Sequence, residues 1–482
     1  MTRRFTLLFV LLLAGEYGFG QSDFFLPQIA NGRQEGGVGI RTTFVLFNPT
    51  DESAGVELSL TGNQGDPLRL TIPALGTGSD FSFYRGAGET VFLETDGEGP
   101  VQAGAAIVSA TAPLGVSAVF TILNSAGAFL TEAGVGYSLP APSVTLPVDT
   151  TGASNTGIAV FNPSFAESLV TFRLFTAVGA PAGQTTRTLA GHGHEALFVD
   201  QLFSGASDFR GTMIVEGAQP VAAVALRQNL NTLTSTTLPV TSSASQIKEF
   251  RLPQVAKGTY QGGSIRTSFL LFNLSDSQSA SVDVTLTTGA GQPFPITIAG
   301  LIQNQAAFHV SLAPRGAVFL DTDSAGPVVA GAAAIVSTAP IGVSSIFSLY
   351  DANGVFQTEA GVGDSQARST FTLPVDSTGA FDSGVAIFNP GPVESTLTVR
   401  LLDSAGTRID SVQTTLAPSG HQAFLVRQQF GGTQLRGSLS ITGTAPVSAL
   451  TLRLNAVPLS YTTLPSVAGA FAGLVPRPPL LR

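Results

Sequence analysis

The chain has 482 residues, of which 43% are hydrophobic and 11% charged, so it can bury a sizeable core and lacks the composition of a disordered protein. Its length suits about three domains. The formal net charge is −9 and the only lysines are Lys248 and Lys257, which argues against nucleic acid and anionic membrane surfaces as partners. There is no cysteine, which excludes disulfides and a cysteine-linked lipid anchor.

Residues 1–20 have the pattern of a secretory signal peptide. Two arginines precede the apolar stretch 5–14, which is too short to span a bilayer, and two glycines after it supply the small residues of a cleavage site. We therefore predict cleavage before Gln21 and a protein that is secreted or held at the cell surface. An uncleaved N-terminal anchor helix is the alternative. No later segment resembles a membrane helix.

The sequence repeats itself over long distances. The stretch "LPQIANGRQEGGVGIRTTFVLFN" at 26–48 returns as "LPQVAKGTYQGGSIRTSFLLFN" at 252–273, and "TEAGVG" at 131–136 recurs unchanged at 358–363. A fainter repeat lies inside each long one, because 102–120 aligns with 209–227 without gaps. These repeats predict four modules of one ancestry in the order A–B–A′–B′. We place the modules at 21–140, 141–243, 244–367 and 368–468, followed by a loose tail at 469–482.

The hydrophobic pattern within each module is that of β-strands. The stretches "VELSL" at 56–60, "VDVTL" at 282–286 and "LTVRL" at 397–401 alternate apolar and polar residues, which gives a strand one buried and one exposed face. Short helical turns are expected only near "HEALFVDQLF" and "HQAFLVRQQF". A module of this size, with strands between closely spaced turns, predicts an all-β fold of four tandem immunoglobulin-like β-sandwich domains.

One tetrapeptide marks the end of the same strand in every module. Its phenylalanine is expected in a core, its asparagine can bond the following turn, and its proline stops the strand. A ligand-binding asparagine is the alternative. The motif residues are Phe47, Asn48 and Pro49; Phe161, Asn162 and Pro163; Phe272 and Asn273, where a leucine replaces proline; and Phe388, Asn389 and Pro390.

These modules, with their FNP, "LPVD" and "FRG" signatures, resemble repeats of exported bacterial proteins with immunoglobulin-like or fibronectin-like sandwiches. The resemblance implies adhesive, stalk or scaffolding roles without a defined chemistry. The cysteines and tryptophan of antibody domains are absent, so the resemblance concerns architecture alone.

Two sets of residues could hold a metal ion. His192, His194 and Glu195 lie within "HGHE", but the fourth module has "SGHQ" at the corresponding place and no third ligand is indicated, so a packing role for these histidines is favoured. Paired carboxylates recur in turns of the A-type modules and could bind Ca²⁺, although solvated turns explain them as well. They are Glu94 and Asp96, and Asp321 and Asp323.

Several charged residues recur between the two halves although charges are rare. We hypothesise that they form ion pairs or carbonyl contacts at module ends or junctions, with exposed charge as the alternative. They are Arg41 and Arg266, Glu132 and Glu359, Arg210 and Arg436, and Arg227 and Arg453.

Nothing in the sequence has the spacing of a nucleophilic, phosphate-binding or dinucleotide-binding motif, so we predict neither an enzyme nor a cofactor. The predicted function is that of a secreted structural or adhesive protein, an extracellular rod, scaffold or surface-interaction module. Its partner would be an extracellular protein or glycan, with self-association through exposed strand edges as a further option. A polysaccharide-binding or surface-polymer-binding module is the alternative.

Overall fold

The computed structural model of the chain describes residues 22–464 and 467–468, so the signal segment and the C-terminal tail lie outside the described residues. The regular elements are almost entirely antiparallel strands, which confirms the all-β prediction. Four eight-stranded sheets follow one another along the chain, and two short hairpins accompany the first and third.

The first and third sheets have matching elements. The first contains β1 Ser22–Arg33, β2 Gly39–Phe47, β3 Ala54–Gly62, β4 Leu70–Ile72, β5 Gly76–Gly78, β6 Asp80–Arg85, β7 Thr90–Glu94, β8 Gln102–Ala110, β9 Gly115–Leu123 and β10 Phe129–Gly136, with β4 and β5 as its hairpin. Every element of the first module thus lies within 22–136.

The second sheet also has eight strands, and one of them is long. It contains β11 Ala141–Asp149, β12 Ser154–Phe161, β13 Ser168–Thr176, β14 Pro181–Leu189, β15 His194–Phe198, β16 Arg210–Asn229, β17 Ser235–Leu238 and β18 Thr241–Ser242, with the helical turn α1 Val199–Leu202 after β15.

The third module repeats the first. Its elements are β19 Glu249–Tyr260, β20 Gly263–Asn273, β21 Ala280–Thr288, β22 Ile296–Ile298, β23 Ile302–Gln305, β24 Ala307–Leu312, β25 Ala317–Asp321, β26 Val329–Ser337, β27 Ile341–Asp351 and β28 Phe356–Gly363.

The fourth module repeats the second. Its elements are β29 Arg368–Asp376, β30 Phe381–Phe388, β31 Ser395–Asp403, β32 Arg408–Leu416, β33 His421–Leu425, α2 Val426–Gln429, β34 Arg436–Ala456, β35 Leu459–Leu464 and β36 Val467–Ala468. Both helical turns therefore occur where the sequence predicts them.

Each module consists of two half-sheets that share one core. In the first module, β6-β3-β8-β1 form one half and β10-β9-β2-β7 the other, and the end of β1 connects them by pairing with β2. Side chains of both halves meet in a single cluster that includes Phe24, Phe44, Leu58 and Val108. The strand alternation seen in the sequence thus buries one face of each half against the other.

The second and fourth modules use one strand where the first and third use two. Residues 210–217 of β16 pair within one half-sheet, and residues 222–229 pair within the other. Pro220 lies at the crossing point between the halves. Its counterpart Pro113 separates β8 from β9 in the first module. A residue without an N–H group therefore marks the change of half-sheet in both cases.

The asparagine of the repeated tetrapeptide ties three stretches of backbone together. Asn162 is fully buried, and its Nδ2 donates to the carbonyls of Ala166 and Ala190 at 2.8 and 2.9 Å. Its Oδ1 accepts the backbone N–H of Ser164 at 3.1 Å. Asn48, Asn273 and Asn389 make the corresponding bonds in the other modules.

The phenylalanine of that motif is buried, as the sequence predicts, but it lies outside the sandwich core. Phe44 and Leu46 of β2 point into the core, so strand alternation directs Phe47 to the opposite face. Its equivalent Phe161 is fully buried because the first module covers it, with Ala105 and Phe25 in the same cluster. The motif therefore serves packing between modules as well as strand termination.

The four modules form a closed ring. At each boundary, the first residue of one strand donates its backbone N–H to the turn that follows β3, or its counterpart, in the preceding module. The four donor–acceptor pairs are His194 to Asn63, Ala317 to Ala177, His421 to Gly289, and Thr90 to Ser404, at 2.9 to 3.1 Å. The last pair joins the fourth module to the first, so the same contact closes the ring after four steps.

The Asn162→Ala variant is expected to lower the free energy of unfolding by about 3 kcal/mol, because it removes three hydrogen bonds of a fully buried side chain, each worth about 1 kcal/mol. Denaturant unfolding would measure the change. The control is Asn231→Ala in an exposed turn of the same module, which should cost about 0.5 kcal/mol or less. Unchanged stability in Asn162→Ala combined with lost binding to a partner would instead identify a ligand-binding asparagine.

Candidate functional site at the module junctions

Two clusters of charged residues lie between modules and contain six of the eight recurring charged residues. The closure cluster, between the first and fourth modules, consists of Glu94, Glu132, Asp376, Arg436 and Arg453. The internal cluster, between the second and third modules, consists of Asp149, Arg210, Arg227, Asp321 and Glu359. These contacts support the hypothesis of ion pairs at module junctions for these six recurring residues.

In the closure cluster, arginines of the fourth module reach carboxylates of the first. Arg453 forms an ion pair with Glu132, and its Nη2 lies 3.1 Å from Asp376 Oδ2. The Nε of Arg436 lies 3.0 Å from the same aspartate oxygen, and its Nη1 lies 2.7 Å from Glu94 Oε1. Two arginines therefore bridge three carboxylates across the boundary that closes the ring.

The electrostatics of the closure cluster follow from burial and from this charge count. Burial raises the pKa of Glu132 to about 7, although Arg453 opposes the shift. Burial also disfavours the charged form of Asp376, but Arg453, Thr378 and Arg436 outweigh it and hold the pKa of Asp376 below its ordinary value. With all groups ionised the cluster carries one excess negative charge, and a proton on Glu132 removes it.

The internal cluster has the same plan with looser contacts. Arg227 lies 3.5 Å from Glu359 across the boundary and 3.5 Å from Asp149 in its own module. Arg210 lies 3.3 Å from Asp149. Burial raises the pKa of Glu359 despite the opposing effect of Arg227. In both clusters, carboxylates and guanidinium groups form ion pairs with one another. Such pairs link one module to the next.

The remaining recurring arginines have other partners. The guanidinium of Arg266 lies 4.9 Å from the ring centroid of Tyr350 in the same module. Arg41 approaches Gly97 so closely that a Cβ there would lie 2.7 Å from its Nε. Across residues 22–464, neither arginine has an ion pair to another module.

Two glycines allow four strands to meet at the centre of the ring. Gly134 of β10 donates its N–H to Thr462 Oγ1 in the fourth module and accepts from Thr237 Oγ1 in the second. A Cβ at Gly134 would lie 2.0 Å from the carbonyl oxygen of Thr463, so no other residue fits. Gly361 occupies the equivalent place in the third module, where a Cβ would lie 2.3 Å from the carbonyl oxygen of Thr237.

The recurring histidines lie at the other two boundaries. His194 Nδ1 lies 3.0 Å from Asn63 Oδ1, and its Nε2 lies 2.7 Å from Gln28 Oε1, both in the first module. His421 Nε2 lies 3.1 Å from Gln254 Oε1 in the third module. Burial lowers the pKa of both histidines to about 4, so they are neutral hydrogen-bonding groups at neutral pH.

The other residues of the two candidate metal sites also have protein partners. The ring of His192 packs on Phe165 at 4.6 Å between centroids, and Glu195 lies 3.5 Å from Arg187. Asn31 donates to Asp96 at 3.0 Å, Ser268 donates to Asp321, and Lys257 lies 2.5 Å from Asp323. In the described part of the chain, no group of three or more histidine and carboxylate side chains is placed to hold a metal ion.

Sequence reasoning missed the glycine and threonine contacts of the ring centre. The signal that could have found them is the unchanged recurrence of "TEAGVG" and of "TTLP" at 236–239 and 462–465. Surface turns tolerate change, whereas a backbone approach that admits no side chain does not.

Comparisons with known proteins do not show a family for this chain. No family model and no curated protein matches the chain. A solved structure, Thermotoga maritima 1070, is 14% identical, covers 21% of this chain and 94% of its own, and has a TM-score of 0.18. Dimeric latent PorU from Porphyromonas gingivalis is 10% identical over 72% of this chain and 31% of its own, with a TM-score of 0.12. Within the described residues, the helices are too short to cross a membrane.

A double-mutant cycle on Glu132→Gln and Arg453→Met should give a coupling energy of about 2 kcal/mol or more, because each single change leaves a buried polar partner unmatched. Denaturant unfolding of the four proteins would measure it. The control cycle uses Arg173 and Glu216, a half-exposed pair 2.7 Å apart within one module, which should give less than about 1 kcal/mol. Equal, small couplings would contradict a role for the buried pair in ring closure.

Stability should fall on acidification because His194 and His421 are buried as neutral rings. Their folded pKa of about 4 lies below the ordinary 6.5, so the unfolded chain binds protons first. Their contribution is complete above pH 6.5 and is lost as the pH falls to about 4. The loss is at most about 3 kcal/mol per histidine.

The measurement is the difference in unfolding free energy between the native chain and His194→Gln/His421→Gln, taken from pH 7 to 4. Glutamine keeps a donor and an acceptor without titrating in this range. The difference also cancels the opposite effect of Glu132, whose raised pKa favours the folded state as the pH falls from 7 towards 4.5. A pH-independent difference would show that these histidines do not control acid stability.

Proposed function

We propose that the protein is a secreted, non-catalytic scaffold or adhesive protein whose four modules present their outer loops in a fixed arrangement. The observation that supports this proposal is that the polar residues which recur between the repeats bond to other parts of the protein. The recurring glutamates, arginines, histidines and asparagines bond within the modules or between them, as a cross-linked frame requires. Export through residues 1–20 belongs to the same proposal.

The modules are proposed to be immunoglobulin-like sandwiches with one exchange of strands. Pairing of β2 with β7 and of β3 with β8 corresponds to the B–E and C–F pairs of that architecture, and β6 lies beside β3 as C′ does. However, β1 lies beside β8, where strand G would be, and β9 lies beside β2, where strand A would be. The N-terminal strand and the strand after β8 have thus changed places.

Residues that differ between the repeats are the first candidates for contact with a partner. Tyr84 is 79% exposed and Phe165 is 76% exposed. The third module has Ser311 where the first has Tyr84. Exposed aromatic side chains of this kind are over-represented at protein interfaces.

The test is a binding screen of the exported chain on arrays of extracellular matrix proteins and glycans, after sequencing confirms a start at Gln21. Saturable binding to a member of the array is expected, with at least a ten-fold loss of affinity in Tyr84→Ser/Phe165→Ser. Val178→Ser, at a side chain 74% exposed, is the control and should bind normally. Turnover of a substrate that disappears in Asp376→Asn would contradict the proposal.

A further inference from the structure

The two halves of the ring differ in one conspicuous way, which is how their A–B junctions are filled. Between the first and second modules there is a cleft of about 500 Å³. Its lining includes Gln34, Phe120, Ile122, Glu132, Gln228 and Ser235. The cleft is open to solvent at Gln34, and apolar side chains of β9 form one wall.

At the equivalent junction between the third and fourth modules, side chains of the protein itself occupy this space. Ser235 pairs with Gln228, and Tyr461 pairs with Leu454 at the same place in the fourth module. The ring of Tyr461 meets Phe347, the counterpart of Phe120, edge-on at 5.9 Å between centroids. The third module has Tyr260 at the position of Gln34. Aromatic and apolar side chains thus fill one junction, and small or polar ones leave the other open.

A second, independent feature lies beside the cleft. Glu132 is 1% exposed and lines the cleft, and its Oε1 has no hydrogen-bond partner. Its other oxygen takes the ion pair with Arg453. In the filled half, Ser348 and Arg227 both contact the same oxygen of Glu359, its Oε2. A buried acceptor without a donor, beside an open cleft, indicates a missing hydrogen-bonding group.

We propose that this cleft binds a small ligand that carries a phenol-sized aromatic ring and a hydroxyl donor. The ring packs on Phe120 as Tyr461 packs on Phe347, and the hydroxyl hydrogen points towards Glu132. Edge-to-face packing and a buried charge-assisted hydrogen bond are both favourable for such a group. This site is separate from the outer loops that the proposed scaffold function uses, so either proposal can fail without the other.

The probe is 4-fluorophenol, followed by fluorine NMR with the full mature chain. Saturable binding at one site per chain is expected. Fluorobenzene, which lacks the hydroxyl, should bind at least ten-fold more weakly. Absence of binding by 4-fluorophenol overturns the proposal, and so does its displacement by methyl glucoside, which would assign the cleft to sugars.

Reciprocal variants locate the site. Ser235→Tyr installs the side chain of the filled half and should weaken binding at least ten-fold while raising the melting temperature. Tyr461→Ser empties the other half and should add a second site per chain. If Ser235→Tyr does not fold, Gln228→Leu, which copies Leu454, tests the same wall and should weaken binding. Unchanged affinity and a stoichiometry of one in all folded variants would place the probe elsewhere and overturn the proposal.

Discussion

The approach of two glycines to the strands of neighbouring modules sets the geometry on which the ring depends. At Gly134 and Gly361 the backbone of an A-type module comes within hydrogen-bonding distance of threonines from both B-type modules, and no side chain fits between them. Because this contact fixes how closely the modules meet, it also buries the glutamates two residues earlier in each strand. Burial of Glu132 and Glu359 then requires a cationic partner, since an unpaired buried charge costs several kcal/mol. The arginines of β16 and β34 meet that requirement.

Buried ion pairs of this kind contribute less to stability than to the choice of arrangement. Desolvation offsets much of the attraction within a pair, whereas a wrong arrangement leaves charges buried and unpaired. In this ring, sliding one module along its neighbour would separate Arg453 from Glu132. The neutral histidines at the other two boundaries have a comparable role, because each bonds a glutamine of the adjacent module through a specific ring nitrogen. Specific polar contacts therefore define all four boundaries.

The sequence predicts the strands and the modules well because both depend on local and repeated patterns. Alternation in "VELSL" yields β3, and the repeated asparagine makes the turn contacts expected of it. The direction of Phe47 could not be predicted, because a strand buried on both faces has no polar face from which to tell inside from outside. Closure of the ring joins residues more than 300 positions apart, such as Glu132 and Arg453, and a repeat shows that two surfaces are alike without showing which surfaces meet. The recurrence of these charges indicated their importance, whereas their pairing required the structure.

The pairing also explains why the chain contains two A–B units. Within the first unit, Glu132 and Arg227 do not pair; Glu132 meets Arg453 of the second unit, and Arg227 meets Glu359 of the second unit. In one A–B unit alone, Glu132 and Arg227 would each lack the partner that they have in the ring. Gly134 would also lack its contact with Thr462. Two copies related by a twofold rotation satisfy both pairs at once, as in an isologous dimer. Joining the copies in one chain replaces an encounter between molecules by an intramolecular contact at high effective concentration. It also frees the two A–B junctions to diverge, which is how one can be filled by Tyr461 while the other keeps Ser235 and an open cleft.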